Sequence, residues 1–324
     1  MKDKGVAELL LLSNDKQTGA SAMATTSLNL KRQKRTKFKK EWITSYLFLL
    51  PALLFFTLFV VYPMLHGIYM SFFDYSLTRF DFIGIENYIH LFQDKNYHQS
   101  VLNTIVLVLV AVPIVIAFSI FVAMTIYKKS EFTRSLFRGI FYLPAVTSVV
   151  SVTVVWNWIY HPNFGILNYL TGLVGMEPKF WLGDPNTALM AITAILITTS
   201  VGQPIILYVA ALGNIPISYI EAAQLDRANG RQLFTKIIWP MLMPTNLYVI
   251  VITTINTFQC FSLIQLLTSG GPLYKTSTVM YGVYEQAFTF GNFGLASAMG
   301  VLLAVIIGAI SIIQFKFFGS DVEY

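Results

Sequence analysis

Charge is scarce in this chain. Only 12% of its 324 residues are Asp, Glu, Lys or Arg, and 55% are hydrophobic, whereas a soluble domain carries roughly a quarter charged residues. That balance excludes an ordinary water-soluble fold. A single cysteine, Cys260, excludes an intrachain disulfide and says nothing about redox compartment. No Gly-x-x-x-x-Gly-Lys-Ser/Thr loop occurs, so any nucleotide hydrolysis must sit on another chain, and this chain is expected not to be an enzyme. The histidines His66, His90, His98 and His161 are scattered. No segment gathers a nucleophile, a base and an orienting acid, and none shows a metal-ligand pattern, so no catalytic residue, metal or cofactor is expected on the chain itself. His66 falls in an apolar window without an acidic partner for a proton relay, and reads as a side chain near the outer interface.

Six windows free of Asp, Glu, Lys and Arg take the place of charge, at about 46–73, 101–127, 139–160, 188–217, 237–267 and 295–315. Each exceeds the ~20 residues a helix needs to cross the hydrocarbon core. They predict an all-α polytopic membrane protein with six transmembrane helices, tilted or extended beyond the core. Basic residues tend to stay cytoplasmic, and seven crowd residues 31–40, just ahead of the first window. With that arm inside, fifteen Lys and Arg fall on cytoplasmic segments and four, Arg79, Lys95, Lys179 and Lys275, on outer loops. Both termini are therefore expected in the cytoplasm. The net charge of +6 is explained by this anchor without invoking nucleic acid. Ala22-Met23-Ala24 has the form of a secretory cleavage site, but the apolar stretch at 6–12 is short and broken by Glu8. Residues 1–45 are expected to be a cytoplasmic extension with a basic anchor.

The one substantial charged island between long apolar stretches is Glu221-Ala222-Ala223-Gln224-Leu225-Asp226-Arg227-Ala228-Asn229-Gly230. Ser218-Tyr219-Ile220-Glu221 has the capping-box pattern of a helix start. Gly230 is expected to end that helix, and Ile237-Ile238-Trp239-Pro240 re-enters apolar sequence. Glu221, Ala222, Ala223, Gly230, Ile238 and Pro240 together resemble the EAA loop of bacterial ABC-importer permeases. Further short elements, in order, resemble sugar-importer permeases of the maltose-permease type. They are Tyr62-Pro63, Phe82-Ile83-Gly84-Ile85-Glu86-Asn87-Tyr88, Asn103-Thr104, Leu143-Pro144, Trp156-Asn157-Trp158, Gly165-Ile166-Leu167-Asn168, Thr268-Ser269-Gly270-Gly271-Pro272 and Gly294-Leu295-Ala296-Ser297-Ala298. The resemblance covers about residues 46 to 318, and oligosaccharide and alginate importers are similar in layout.

The resemblance implies the type I ABC importer permease fold: a six-helix domain at 46–319, a cytoplasmic coupling loop at 218–240 and a short tail at 320–324. It implies a subunit of an ATP-driven importer for a sugar or oligosaccharide, in the bacterial cytoplasmic (inner) membrane. The partners would be a second permease, two copies of an ABC ATPase carrying ATP and Mg, and an extracytoplasmic solute-binding protein. Glu221, Ala222, Ala223, Leu225, Gly230, Leu233 and Phe234 would couple to the ATPase. The choice between a neutral sugar and a uronate stays open at this point.

Polar side chains within apolar windows mark a candidate pathway, because they are costly unless they face water or a bundle interior. Thr253, Asn256 and Gln259 recur every third residue; Gln265, Gln203, Trp156 and Asn157 join them. Amides can pair with sugar hydroxyls and aromatic faces with sugar rings. The same amides read equally as packing glue between helices, and Trp156 and Trp158 as an interfacial belt. An ion-coupled secondary carrier of small neutral solutes is the alternative function, although such carriers usually need an intramembrane ionisable site.

Overall fold

The computed structural model describes residues 45–318; the basic arm, the rest of the N-terminal extension and the tail lie outside them. The chain divides between His66 and Gly67 into two units. The described residues of the first, 45–66, all lie in α1, which runs over Ser45–Met70 with none of its apolar window buried.

The second unit opens with a short hairpin that the all-helical expectation lacked. Strands β1 (Phe73–Tyr75) and β2 (Phe80–Phe82) pair antiparallel, Phe73 opposite Phe82 and Tyr75 opposite Phe80. Helix α2 (Glu86–Gln93) leads to α3 (Lys95–Ile126), 32 residues long and capped by the Asp94 carboxylate, which accepts from Asn96 N–H at 2.8 Å. Pro113 sits inside α3 without ending it, as happens in membrane helices whose freed carbonyls find other donors.

Helices α1 and α3 and the last helix, α14 (Phe293–Phe318), are unbroken candidate spans; the third, fourth and fifth are not. Helix α4 (Glu131–Val146) and α5 (Val149–Ile159) meet at 100°, α7 (Ala188–Ser200) and α8 (Gly202–Gly213) at 42°, and α10 (Gly230–Met241) and α11 (Met243–Phe258) at 69°. Hydropathy predicted continuous helices here. The breaks follow prolines, which remove a helix donor and crowd the preceding turn: Pro144 lies three residues before Thr147, Pro204 opens α8, and Pro240 and Pro244 flank Leu242. Ahead of Pro240 the chain widens into a π turn at Phe234–Ile238. Short helices fill the connections: α6 (Ile166–Gly172), α9 (Ile217–Leu225), α12 (Ser262–Leu267) and α13 (Val279–Tyr284), the last extended by a π turn at Glu285–Thr289.

Helix α3 is the central post. Its Ile120, Ala123 and Ile126 join Tyr208 and Leu242 in one buried cluster, Leu107 and Ala111 join Ile192 and Ile264 in a second, and Tyr97 joins Phe258, Ala298 and Leu303 in a third. Lipid offers no hydrophobic drive between helices, so close approach through small residues replaces it. Ala111, Ala123, Ala188 and Ala298 are all buried. A Cβ on Gly202 would stand 2.5 Å from the Phe141 carbonyl oxygen, which brings α8 against α4 backbone to backbone.

Candidate functional site

The first candidate is the helical elbow formed by α9 and the start of α10. Pro216 occupies the N-cap of α9 and no side chain caps it, so Ser218 and Glu221 lie inside the helix and the expected capping box there is absent. The box occurs one helix later, where Asn229 Oδ1 accepts from Gln232 N–H at 2.8 Å and Gln232 Oε1 accepts from Asn229 N–H at 2.9 Å. Gly230 is therefore the first residue of α10 and not the break. The break is made by Arg227, in left-handed conformation at φ 55°, with Ala228 N–H closing onto Ala223 O at 2.9 Å. This is a Schellman-type end, with Arg where Gly is usual.

Helix α9 buries Ile220 and Ala223 and leaves Ile217, Tyr219, Glu221, Ala222 and Leu225 exposed, Leu225 to 86%. A long apolar side chain left in that state, beside Ile217 at 70% and Tyr219 at 54%, suits a surface that meets another chain. Ile217 and Tyr219 were missed in the sequence because they precede the Glu-Ala-Ala pattern. Leu233 and Phe234, expected on the docking side, are half-buried: both pack against the buried cluster around Tyr208 and Leu242, and Phe234 lies 5.9 Å from Trp239. A cavity of about 610 Å³ lies between α9 and α10, lined among others by Tyr219, Ala222, Ala223, Asp226, Gln232 and Lys236. Around Gly230 an added Cβ would meet nothing within 4 Å.

The pathway candidates separate into two groups. Gln203, Asn256 and Gln259 are exposed, as is Asn157, and their side chains make no hydrogen bond among the described residues. Thr253 is buried at 5%, Trp156 packs at 5.2 Å on Tyr160 in the cluster around Ile192, and Gln265 is half-buried on α12. Thr253 is thus a core residue and Trp156 is half-buried against the core, whereas Trp158, 64% exposed, is free to serve in an interfacial belt. Gln259 lines a cavity of about 270 Å³ with Pro144, Thr147, Val149, Thr199, Cys260 and Ser262 in its wall.

The interhelical glue lies elsewhere. Asn103 Nδ2 donates to Tyr274 O and Ser277 O, both at 2.8 Å, Ser100 and Ser277 hydroxyls meet at 2.8 Å, and Thr104 Oγ1 accepts from Val279 N–H at 3.0 Å. These bonds bolt the Gly270-Gly271-Pro272 loop to α3. Asn87 Nδ2 donates to Ser71 O and Phe73 O at 2.9 Å each. Asn168 donates to Pro162 O and Lys179 O and accepts from Lys179 N–H and Trp181 Nε1–H. Asn87, Asn103 and Asn168, each in one of the short sequence elements, are therefore loop anchors, whereas Asn157 is not. Among the described residues no three His, Cys, Asp or Glu side chains are placed to hold a metal.

Residues 95–324 match the family described as "Binding-protein-dependent transport system inner membrane component". The chain is 35% identical to the probable ABC transporter permease protein YesP of Bacillus subtilis (strain 168), over 88% of this chain and 93% of that one. It is 31% identical to the multiple sugar-binding transport system permease protein MsmF of Streptococcus mutans, over 87% and 97%. A solved chain of a bacterial ABC transporter involved in the import of the acidic polysaccharide alginate superposes with a TM-score of 0.77 at 24% identity, covering 89% of this chain and 99% of that one. At that identity the likeness is one of fold.

Proposed function

The chain belongs to the family of binding-protein-dependent transport system inner membrane components, and from that membership and the exposed elbow we propose that it couples an ABC ATPase to the import of a sugar or oligosaccharide. As a multi-pass permease of the inner membrane it forms part of the translocation pathway. A second permease completes that pathway, two ATPase subunits hold ATP and Mg, and an extracytoplasmic binding protein delivers the saccharide. Both termini and the α9–α10 elbow face the cytoplasm. The observation that carries this reading is the elbow itself, whose Ile217, Tyr219 and Leu225 stand exposed beside Glu221 and Ala222.

Closure of the ATPase pair on ATP moves the elbow, and hydrolysis resets it. Motion follows only where the two states differ in contact, since equal affinity shifts nothing. Saccharide as cargo is supported by the sugar-transport relative and by the exposed amides Gln203, Asn256 and Gln259, which suit hydroxyl partners. The ion-coupled alternative has no observation in its favour: the described spans carry no acidic side chain except Glu131 in the first turn of α4.

Gly230→Trp tests the reading. An added Cβ at Gly230 meets nothing within 4 Å on this chain, so the variant should insert and assemble its own helices while ATP-driven uptake is lost. Normal uptake would contradict the docking role of the elbow.

A further inference from the structure

Three interruptions of the helical backbone converge on one cavity. The turn at Thr147 and Ser148 between α4 and α5, the end of α7 at Thr199 before its bend, and the link at 259–261 between α11 and α12 all contribute to the wall of the 270 Å³ space. Its polar side chains are Thr147, Thr199, Gln259 and Ser262, and no Asp, Glu, Lys, Arg or His lines it. Charged side chains in the six helical segments, Lys95, Glu131, Arg134, Arg138, Arg231, Lys236 and Lys316, lie within about two helical turns of a segment end.

The wall offers both halves of a hydrogen bond. Thr147 Oγ1 donates to Leu143 O at 2.7 Å, and Thr199 Oγ1 lies 3.2 Å from Ile195 O and 3.0 Å from Leu196 O. With their protons turned to the backbone, these hydroxyls present lone pairs to the cavity. The Gln259 amide, without a hydrogen bond among the described residues, both donates and accepts. The first N–H groups of α5 have no partner inside the helix, Ser148 does not cap them, and Val149 lies in the wall. Donors and acceptors side by side match a hydroxyl, which does both. A carboxylate or phosphate only accepts: the Thr oxygens oppose it, no cation neutralises it, and the N-terminus of α5 supplies about half an elementary charge at most.

We infer that this chain's part of the pathway passes uncharged, hydroxyl-rich saccharides and discriminates against acidic ones, with Gln259 as the specificity-determining side chain. The inference rests on the saccharide-importer reading above. It adds the charge class of the cargo.

The test uses the complete importer, with its binding protein and ATPase, reconstituted in liposomes. It is offered neutral hexose oligosaccharides of two to five units and uronate and phosphorylated counterparts of equal length. ATP-dependent uptake should favour a neutral member over its acidic counterpart by about a hundredfold in kcat/KM, the scale set by an unpaired charge in a bundle. Gln259→Ala should raise KM for that sugar about tenfold, the loss of one or two hydrogen bonds, and Gln259→Asn should fall between. Where Gln259→Ala fails to assemble, Thr199→Val probes the same wall and should raise KM in the same direction. Uptake of an acidic saccharide at a rate comparable to the neutral ones overturns the inference and leaves the importer reading standing. An unchanged KM in Gln259→Ala overturns the role of Gln259. Absence of ATP-dependent uptake for every saccharide overturns the importer reading and the inference with it.

Discussion

Asn103 is the side chain whose loss the structure makes most costly for its size. It is 3% exposed, its amide nitrogen serves Tyr274 O and Ser277 O at 2.8 Å each, and its oxygen accepts from Gln99 Nε2 at 2.8 Å. Asn103→Ala deletes three bonds and strands the Ser277 carbonyl beyond the Gly270-Gly271-Pro272 loop, whereas Tyr274 O keeps the Ser277 N–H at 3.2 Å. A neutral bond is worth about 0.5–1.5 kcal/mol net, and an orphaned buried group costs about 1–3 kcal/mol. Bonds between membrane helices fall toward the lower end, averaging about 0.6 kcal/mol. Three lost bonds, one of them the sole partner of the Ser277 carbonyl, then give a loss of about 2 kcal/mol, a fall of roughly 4–8 °C in thermal midpoint. The assay is thermal unfolding of the purified chain in lipid nanodiscs, followed by tryptophan fluorescence. Asn103→Asp serves as control, because it keeps the size and removes the donor. A midpoint within about 1 °C of the parent for both variants would refute the claim that this amide anchors the loop.

The same loop region holds a pH-sensitive group outside the spans. Burial pushes the Glu285 carboxyl above the ordinary carboxylate range, with the Tyr281 hydroxyl pulling partly the other way. The fold thus favours protonated Glu285: its stabilising effect is full below the ordinary carboxylate pKa and is lost as pH rises through the raised value. Glu285→Gln should therefore melt above the parent at about pH 8, with the gap closing by about pH 4; equal midpoints at both pH values would contradict this. Gly294→Ala should destabilise by about 1–3 kcal/mol through overpacking, because its Cβ would collide with the Phe73 carbonyl oxygen and stand 2.9 Å from Tyr75 N. A parent-like thermal midpoint for that variant would show that α14 does not press on β1 as described.

Much of the body was legible because the bilayer imposes a length on apolar sequence. All six windows coincide with helices or bent helix pairs; Asn87-Tyr88 falls in the first turn of α2 and Asn103-Thr104 within α3, and both Asn side chains bond carbonyls outside their own helix. The breaks were not legible, because hydropathy is blind to direction: residues 139–160 read as one apolar run, although Ser148 starts a helix at 100° to its predecessor. Capping was misplaced for a related reason. Ser218 with Glu221 and Asn229 with Gln232 carry the same spacing, and Pro216 decides between them by fixing the chain direction one residue before α9 begins. Side-chain direction was also beyond the pattern: Thr253, Asn256 and Gln259 share a spacing, yet the first is core and the other two are open.

The account depends on the elbow facing the cytoplasm and meeting the ATPase. Cys260 is the only cysteine and is buried at 7%, so a thiol introduced as Leu225→Cys can be read with little background. In the assembled importer it should be modified by an impermeant maleimide only from the cytoplasmic side, and should cross-link to the ATPase subunit more strongly when ATP is bound. Modification only from the external face, or no cross-link in an importer that still transports, would contradict the account.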